Sequence, residues 1–318
     1  MIHNRKNLQP KWQIFLTLVL ILYMVGWDYN NAAAAGTTYY VDNTNALCTD
    51  TGSGTTTALP FCTIGKGASI AVAGDTVRVL GGTYAETVSG PNSGSAGNPI
   101  TFSAVSGVTV TGDGSASGGN AFRISSQSYI IVVGFTVTGT ADDGIDVSDS
   151  NHITLSSNHV SYSGSPASGS TRGGIYFNST TDSTIKGNTF DHNSSHGIYL
   201  NGSSGNTISD NVSFANAEQF QRSASGIYFY ASNNNTILHN ITYGNEDSGL
   251  NFYTGSSENF VIGNLTYGNG DHGIDNYNSP GNIIIGNTAQ GNHTAGINVE
   301  GDTAAASSGA TLKQYQCR

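Results

Sequence analysis

The chain has 318 residues, only 10% of them charged, with 42 glycines and a formal net charge of −10. Phosphate binding needs a face of clustered Lys and Arg, so this balance excludes nucleic acid as a partner. Asn, Ser, Thr and Gly stand where a helical protein would carry Leu, Glu and Lys, which predicts an all-β chain rich in turns.

Residues 1–36 read as a signal peptide. Arg5, Lys6 and Lys11 precede the apolar run "IFLTLVLILYMVGW", and "NAAAAG" supplies a small-residue cleavage site. The run is shorter than the ~20 residues that span a bilayer. The expectation is therefore a secreted, extracellular protein with no stable membrane span after cleavage. The mature chain would keep eight Lys and Arg against 20 Asp and Glu, a net charge of −12. Such a chain repels an acidic polymer unless a cation intervenes. Cys48 and Cys62 bracket a short loop and are expected to pair in an oxidising compartment, whereas Cys317 has no evident mate.

Residues 37–100 are expected to form an N-terminal cap and the first coils. "CTIGKGASIAVAG" spaces Ile64, Ala68 and Ala71 as a short amphipathic helix, suited to covering an otherwise unpaired sheet edge. "GDTVRVLGGTYAETV" follows as strand, turn and strand.

Residues 101–312 repeat. A Gly followed by Ile or Leu recurs at Gly144, Gly174, Gly197, Gly226, Gly249, Gly273 and Gly296, at intervals of 23 to 30 residues. Asn158, Asn188, Asn211, Asn240, Asn264 and Asn287 run in step with it. Five residues beyond each lies Ser163, Asn193, Asn216, Asn245, Asn269 or Asn292. A period of about 23 residues built from three short strands predicts one coil of a right-handed parallel β-helix. Equivalent residues then stack ~4.8 Å apart. Stacked Asn amides carry both donors and acceptors and can bond to one another at a bend, so these columns are read as structural. The final "KQYQCR" departs from the repeat, and residues 313–318 are expected to be an aberrant or truncated tail.

The segments "TYYVDN", "PFCTI", "AGDTVRVLGGTY" and "GSAGNPITFSA", followed by the Gly-Ile coils, resemble secreted right-handed parallel β-helix proteins of the pectate-lyase-like superfamily over most of residues 37–312. The resemblance implies the fold and a polysaccharide-related role, without fixing the reaction.

Alternation places the residue after each Ile outward: Asp146, Tyr176, Tyr199, Tyr228, Asn251, Asp275 and Asn298. The next outward column holds Ser148, Asn178, Asn201, Tyr230, Tyr253, Tyr277 and Glu300. Tyr176, Tyr199, Tyr230, Tyr253 and Tyr277 are candidate sugar-binding residues, offering flat rings with polar tips. Strand propensity and cross-strand packing explain the same pattern without function. Two longer coils, at "SPASGSTR" and "AEQFQRSA", bring Arg172 and Arg222 toward this face, where a guanidinium could hold a carboxylate or instead pair with a nearby Asp.

Asp247 and Asp271 occupy equivalent places in "NEDSGLN" and "NGDHGID", and Asp275 follows in the second. Three carboxylates so close would repel unless a cation binds or one stays protonated. With Asn251, and Asn245 as an auxiliary, they form an oxygen donor set suited to Ca²⁺. The plain alternative is a solvated acidic edge. Calcium-dependent β-helix pectate lyases are similar here, with one Asp followed on the next coil by D-D-G-x-D; His272 replaces the second Asp of the pair. Their catalytic lysine has no counterpart, since only Lys313 lies downstream. A fuller D-D-G-x-D at Asp142, Asp143 and Asp146 lacks an Asp on the preceding coil and ranks second.

Elimination or C5-epimerisation of a uronate requires removal of the proton beside its carboxylate. Arg222, His272, His196 and Tyr228 are the catalytic candidates. His196 and His272 lie in one column three coils apart, too far to act as a pair. Each, as a lone His beside a Gly, has an ordinary role as a turn residue. The functional expectation is a monomeric protein acting on an acidic polysaccharide by calcium-dependent elimination or epimerisation. A glycoside hydrolase with two carboxylates ~5–9 Å apart and a non-catalytic carbohydrate-binding β-helix are the alternatives. The polygalacturonase motifs are absent as a set.

Overall fold

A computed structural model describes residues 36–90, 92–115, 119–164, 173–217, 224–302, 308–313 and 316–317. The expected signal peptide lies outside the described residues except for Gly36, as do Arg172 and Arg222. No helix among the described residues is long and apolar enough to cross a membrane.

Three parallel sheets of eleven, ten and eight strands wrap one core, and each strand pairs with its equivalent one coil away. The repeat supplies them in fixed order. In one coil, Ile198–Asn201 enters the eight-stranded sheet, Thr207–Ser209 the eleven-stranded sheet and Val212–Phe214 the ten-stranded sheet. This is the right-handed parallel β-helix that the period predicts. Inward residues form continuous stacks. Ile185, Ile208, Ile237, Val261 and Ile284 are fully buried on successive rungs, and the Phe229 and Phe252 rings lie 4.6 Å apart. Burying each such side chain stabilises the fold by ~1.5–3 kcal/mol.

The Gly column is steric. A Cβ on Gly174 would meet the Gly197 carbonyl oxygen at 2.4 Å, and one on Gly249 would meet that of Gly273 at 2.7 Å and Thr242 Oγ1 at 2.4 Å. Only a residue without a side chain lets this corner stack on itself.

The Asn columns are ladders. Asn211 Nδ2 donates to Asn240 Oδ1, Asn240 to Asn264 and Asn264 to Asn287, at 2.9–3.0 Å. Each Oδ1 also accepts the backbone N–H of the preceding Asn, as Asn240 does from Asn211 at 3.1 Å. Directly before each Asn sits a left-handed residue that turns the corner, such as Asp210 (φ 56°) and His239 (φ 53°). The second ladder, Asn193–Asn216–Asn245–Asn269–Asn292, is equally continuous. A third, through Asn206, Asn235, Asn259 and Asn282, escapes the sequence reading.

At the N-terminal end, helix α1 (Ile64–Ile70) buries Ile64 and Ala68 as expected, with Thr63 as N-cap. Glu86 accepts the N–H groups of Ile64 and Gly65 at 2.8 Å, satisfying donors that a helix start leaves open. Cys48 and Cys62 form a disulfide, with Cα atoms 5.0 Å apart. At the other end Thr311–Lys313 pairs with Ile283–Ile285 and Gln316 and Cys317 pair with Thr288 and Ala289, so the unusual tail adds a rung to two sheets.

Candidate functional site

The outer face of the eight-stranded sheet carries the predicted columns in the predicted register. Arg123, Asp146, Tyr176, Tyr199, Tyr228, Asn251, Asp275 and Asn298 are successive rung partners. Beside them run Asn201, Tyr230, Tyr253, Tyr277 and Glu300.

Asp247 and Asp271 lie on adjacent coils, since the Asp271 N–H donates to the Asp247 carbonyl at 3.1 Å. Burial, then the Asp271 charge, pushes the Asp247 carboxyl above its ordinary value, against hydrogen bonds from Ser225 and Asn251. Asp275 is buried, and that burial pushes its carboxyl up to about 6 despite a 3.0 Å bond from Asn298 Nδ2. Glu300 and Asp247 add to the rise, while His272 opposes it. Glu246, which the sequence reading passed over although it stands next to Asp247, joins the cluster. It accepts the Ala224 N–H at 3.2 Å and is raised by burial and by the charges of Asp247 and Asp271.

Two polar atoms here are buried without a hydrogen-bond partner among the described residues, Asn251 Oδ1 and His272 Nδ1. The latter lies 3.1 Å from Asp271 Oδ2 but is not aligned for a bond. Orphaned buried polar atoms are costly, ~1–3 kcal/mol each, and mark places where a partner belongs.

The three Asp side chains do not converge as the sequence analysis expected. Among the described residues no three His, Cys, Asp or Glu close on a point that could hold a metal ion. Asp271 is more than one-third exposed and turns its carboxylate toward His272. Asn245 is also removed as a ligand, because its amide is spent in the second ladder. The remaining oxygen donors are the Asp247 and Asp275 carboxyls and the orphaned Asn251 carbonyl, a set whose chemistry suits a hard cation.

His196 is fixed differently from His272. Its Nδ1 accepts the Ser225 N–H at 2.9 Å, and its ring stacks on Tyr228 at 4.3 Å and 3°. Burial pushes it down to about 4. A neutral imidazole accepting at Nδ1 carries its proton on Nε2, so this tautomer has no free lone pair with which to act as a base. Burial likewise pushes the Tyr228 hydroxyl well above its ordinary value, leaving it a donor.

The tyrosines of the row stack along it. Tyr253 and Tyr277 stack on each other at 5.1 Å and 16°, and Tyr230 lies nearly parallel to Tyr253 at 6.3 Å. Tyr176 and Tyr199 tilt against each other, with Asn201 Nδ2 donating to the Tyr176 hydroxyl at 3.0 Å. Tyr253 thus has a ring on either side, while Tyr230 and Tyr253 remain exposed.

The second acidic motif is structurally saturated. Asp143 Oδ1 accepts the Gly173 N–H at 2.7 Å and Asp142 Oδ1 accepts the Asp143 N–H at 3.0 Å. Asp146 accepts from the Ser148 hydroxyl at 2.9 Å and sits 3.8 Å from Arg123 Nε.

Fold and face together define a parallel β-helix with an acidic, tyrosine-bordered outer sheet. The chain belongs to the family described as right handed beta helix region, whose model matches residues 92–266 and 173–315. Among solved structures it is similar to XylC in complex with xylose, at 16% identity and TM-score 0.67 over 88% of this chain and 70% of that one. It is similar to pectate lyase Pel9A at 17% identity and TM-score 0.63, over 84% and 73%. The periplasmic alginate epimerase AlgG matches at 16% identity and TM-score 0.58, with 78% of this chain covering 61% of that one. At these identities the likeness establishes the fold. No curated protein matches the chain.

Proposed function

We propose that the protein is secreted, monomeric and acts on a polysaccharide, with the sugar chain lying across the eight-stranded sheet, proton transfer occurring at His272, and the Asp247 and Asp275 carboxyls holding a cation. The observation that carries this reading is the pairing of the buried Asp275 and half-buried Asp247 carboxyls, both with raised proton affinity, beside two orphaned polar atoms. Such a group holds charge and protons ready for a ligand, and strongly perturbed groups concentrate at functional sites. Similarity to a pectate lyase and an alginate epimerase supports β-elimination or C5-epimerisation of a uronate polymer.

In that chemistry His272 accepts the proton beside the substrate carboxylate at Nε2, its buried Nδ1 facing the Asp271 carboxylate 3.1 Å away. The Tyr228 hydroxyl, held protonated, donates to the sugar, while His196 keeps the Tyr228 ring in place. Ca²⁺ would be held by Asp247, Asp275 and the Asn251 carbonyl, and would supply the positive charge that balances an acidic substrate. Arg172 and Arg222 are assigned to the same task from their sequence position. Hydrolysis of a glycosidic bond is a second reading, favoured by the protonation of Asp275 near pH 6, where it could serve as a general acid.

The test is incubation with pectate, alginate and glycosaminoglycans, with calcium and with chelator, while following ultraviolet absorbance and reducing ends. Absorbance from unsaturated ends supports elimination, and reducing ends without it indicate hydrolysis. An altered uronate epimer ratio without cleavage indicates epimerisation. Binding without turnover of any kind would overturn the catalytic reading.

A further inference from the structure

The ten-stranded sheet carries a second cluster that the proposed reaction does not use. His159–Ser161 and Thr189–Asp191 are neighbouring rungs there. The buried Asp191 carboxylate bonds His159 Nε2 through Oδ1 and accepts from His192 Nδ1 at 2.7 Å through Oδ2. Burial alone would raise Asp191, but the two imidazoles hold it below its ordinary value, and the same bond raises His159. Both rings are partly exposed and held in place, leaving His159 Nδ1 and His192 Nε2 as the nitrogens that Asp191 does not occupy.

Tyr162 stacks one face on His192 at 5.1 Å and 14°. Its other face turns toward the preceding coil, where the equivalent residue is Gly139. The Gly139 N–H donates to the Ser161 carbonyl and the Tyr162 N–H to the Asp191 carbonyl, which fixes this column. Among the described residues nothing lies within 4 Å of the point a Gly139 Cβ would occupy. Tyr162 is 54% exposed and is the sole large hydrophobic of this sheet in that class among the described residues. The ring therefore has one face against His192 and one that no other ring among the described residues covers. Beyond His192 the Phe214, Tyr243 and Tyr267 rings stack in turn at 4.8 and 4.9 Å. They border a ledge of Gly244, Gly268 and Gly291, where the space a Cβ would need is also clear.

One open ring beside fixed polar nitrogens, without a broad apolar patch, matches a sugar better than a protein surface. The ring takes the C–H face of a pyranose and the imidazoles take its hydroxyls. We infer that Tyr162, His192 and His159 form a second carbohydrate-contact site that anchors a polysaccharide away from the acidic cluster on the eight-stranded sheet. No bond is made or broken there.

The test is affinity electrophoresis in gels containing pectate, alginate or xylan, run with wild type, Tyr162→Ala, His192→Ala, the pair Tyr230→Ala/Tyr253→Ala, and that pair combined with Tyr162→Ala. Tyr162→Ala is expected to weaken binding about fivefold. Turnover of short oligosaccharides should stay unchanged, and the triple variant should migrate freely. Retention of Tyr162→Ala and His192→Ala equal to wild type, or of the triple variant equal to the pair, overturns the inference, as does a wild type that no polymer retards. A wild type that is retarded through Tyr162 but turns over nothing would instead count against the catalytic reading alone.

Discussion

Two stretches of this chain read almost alike, "ADDGIDV" at residues 141–147 and "GDHGIDN" at 270–276, and the structure gives them opposite characters. In the first, Asp143 is consumed by the Gly173 N–H and Asp146 shares its rung with Arg123. In the second, Asp275 shares its rung with Asn251, and Asp247 and Glu246 stand on the preceding coil. The motif is nearly constant, so the neighbouring coils decide. A guanidinium beside a carboxylate makes a corner; an amide and further carboxylates beside it make a charged, underbonded pocket.

The largest expected effect lies in turnover. Asp275→Asn should lower the rate of polysaccharide conversion by roughly 10²-fold or more, as loss of a carboxylate that holds the cation would. Asp146→Asn should leave it within twofold in the same assay. Equal losses in the two variants would erase the contrast.

A structural change should show the reverse pattern. Asn240→Ala removes the acceptor of two Asn211 donors and the donor to Ile208 and Asn264. It should cost about 3 kcal/mol in chemical denaturation while the residual folded protein keeps its activity. Gly249→Ala should destabilise by ~1–3 kcal/mol through overpacking of the corner. Either variant matching wild type in denaturant would refute the steric and ladder arguments.

The smallest effect is on the pH profile of stability. A carboxyl raised to about 6 binds its proton more tightly folded than unfolded. Its contribution is therefore fully present below the unfolded value near 4 and is lost as pH rises through about 6. Wild type should lose about 2 kcal/mol across that interval relative to Asp275→Asn, measured as the difference between two denaturation series.

The sequence made the frame legible because its constraints repeat. A Cβ is forbidden at the Gly corners from Gly144 to Gly273 and amides bond to one another along the Asn bends, so two columns fixed the register and with it the Asp247–Asp271 adjacency and the Asn251–Asp275 rung. The third ladder was obscured by the run Asn233, Asn234 and Asn235, where the spacing does not say which Asn points inward. Side-chain direction was the other blind spot. Nothing in the spelling of the coils tells that Asp271 turns to His272, that His196 is tied to a backbone N–H, or that stacked tyrosines cover one another's faces. Glu246 was visible beside Asp247, but the Gly-based register drew attention to the Asp.

The most direct measurement of the central claim is a carboxyl-carbon NMR titration of uniformly labelled protein, with Asp275→Asn used to assign the resonance. The account predicts an Asp275 midpoint near 6 in chelator and a fall on adding calcium. An Asp275 that titrates at the ordinary carboxylate value, unmoved by calcium, would show that the pocket is only a solvated edge.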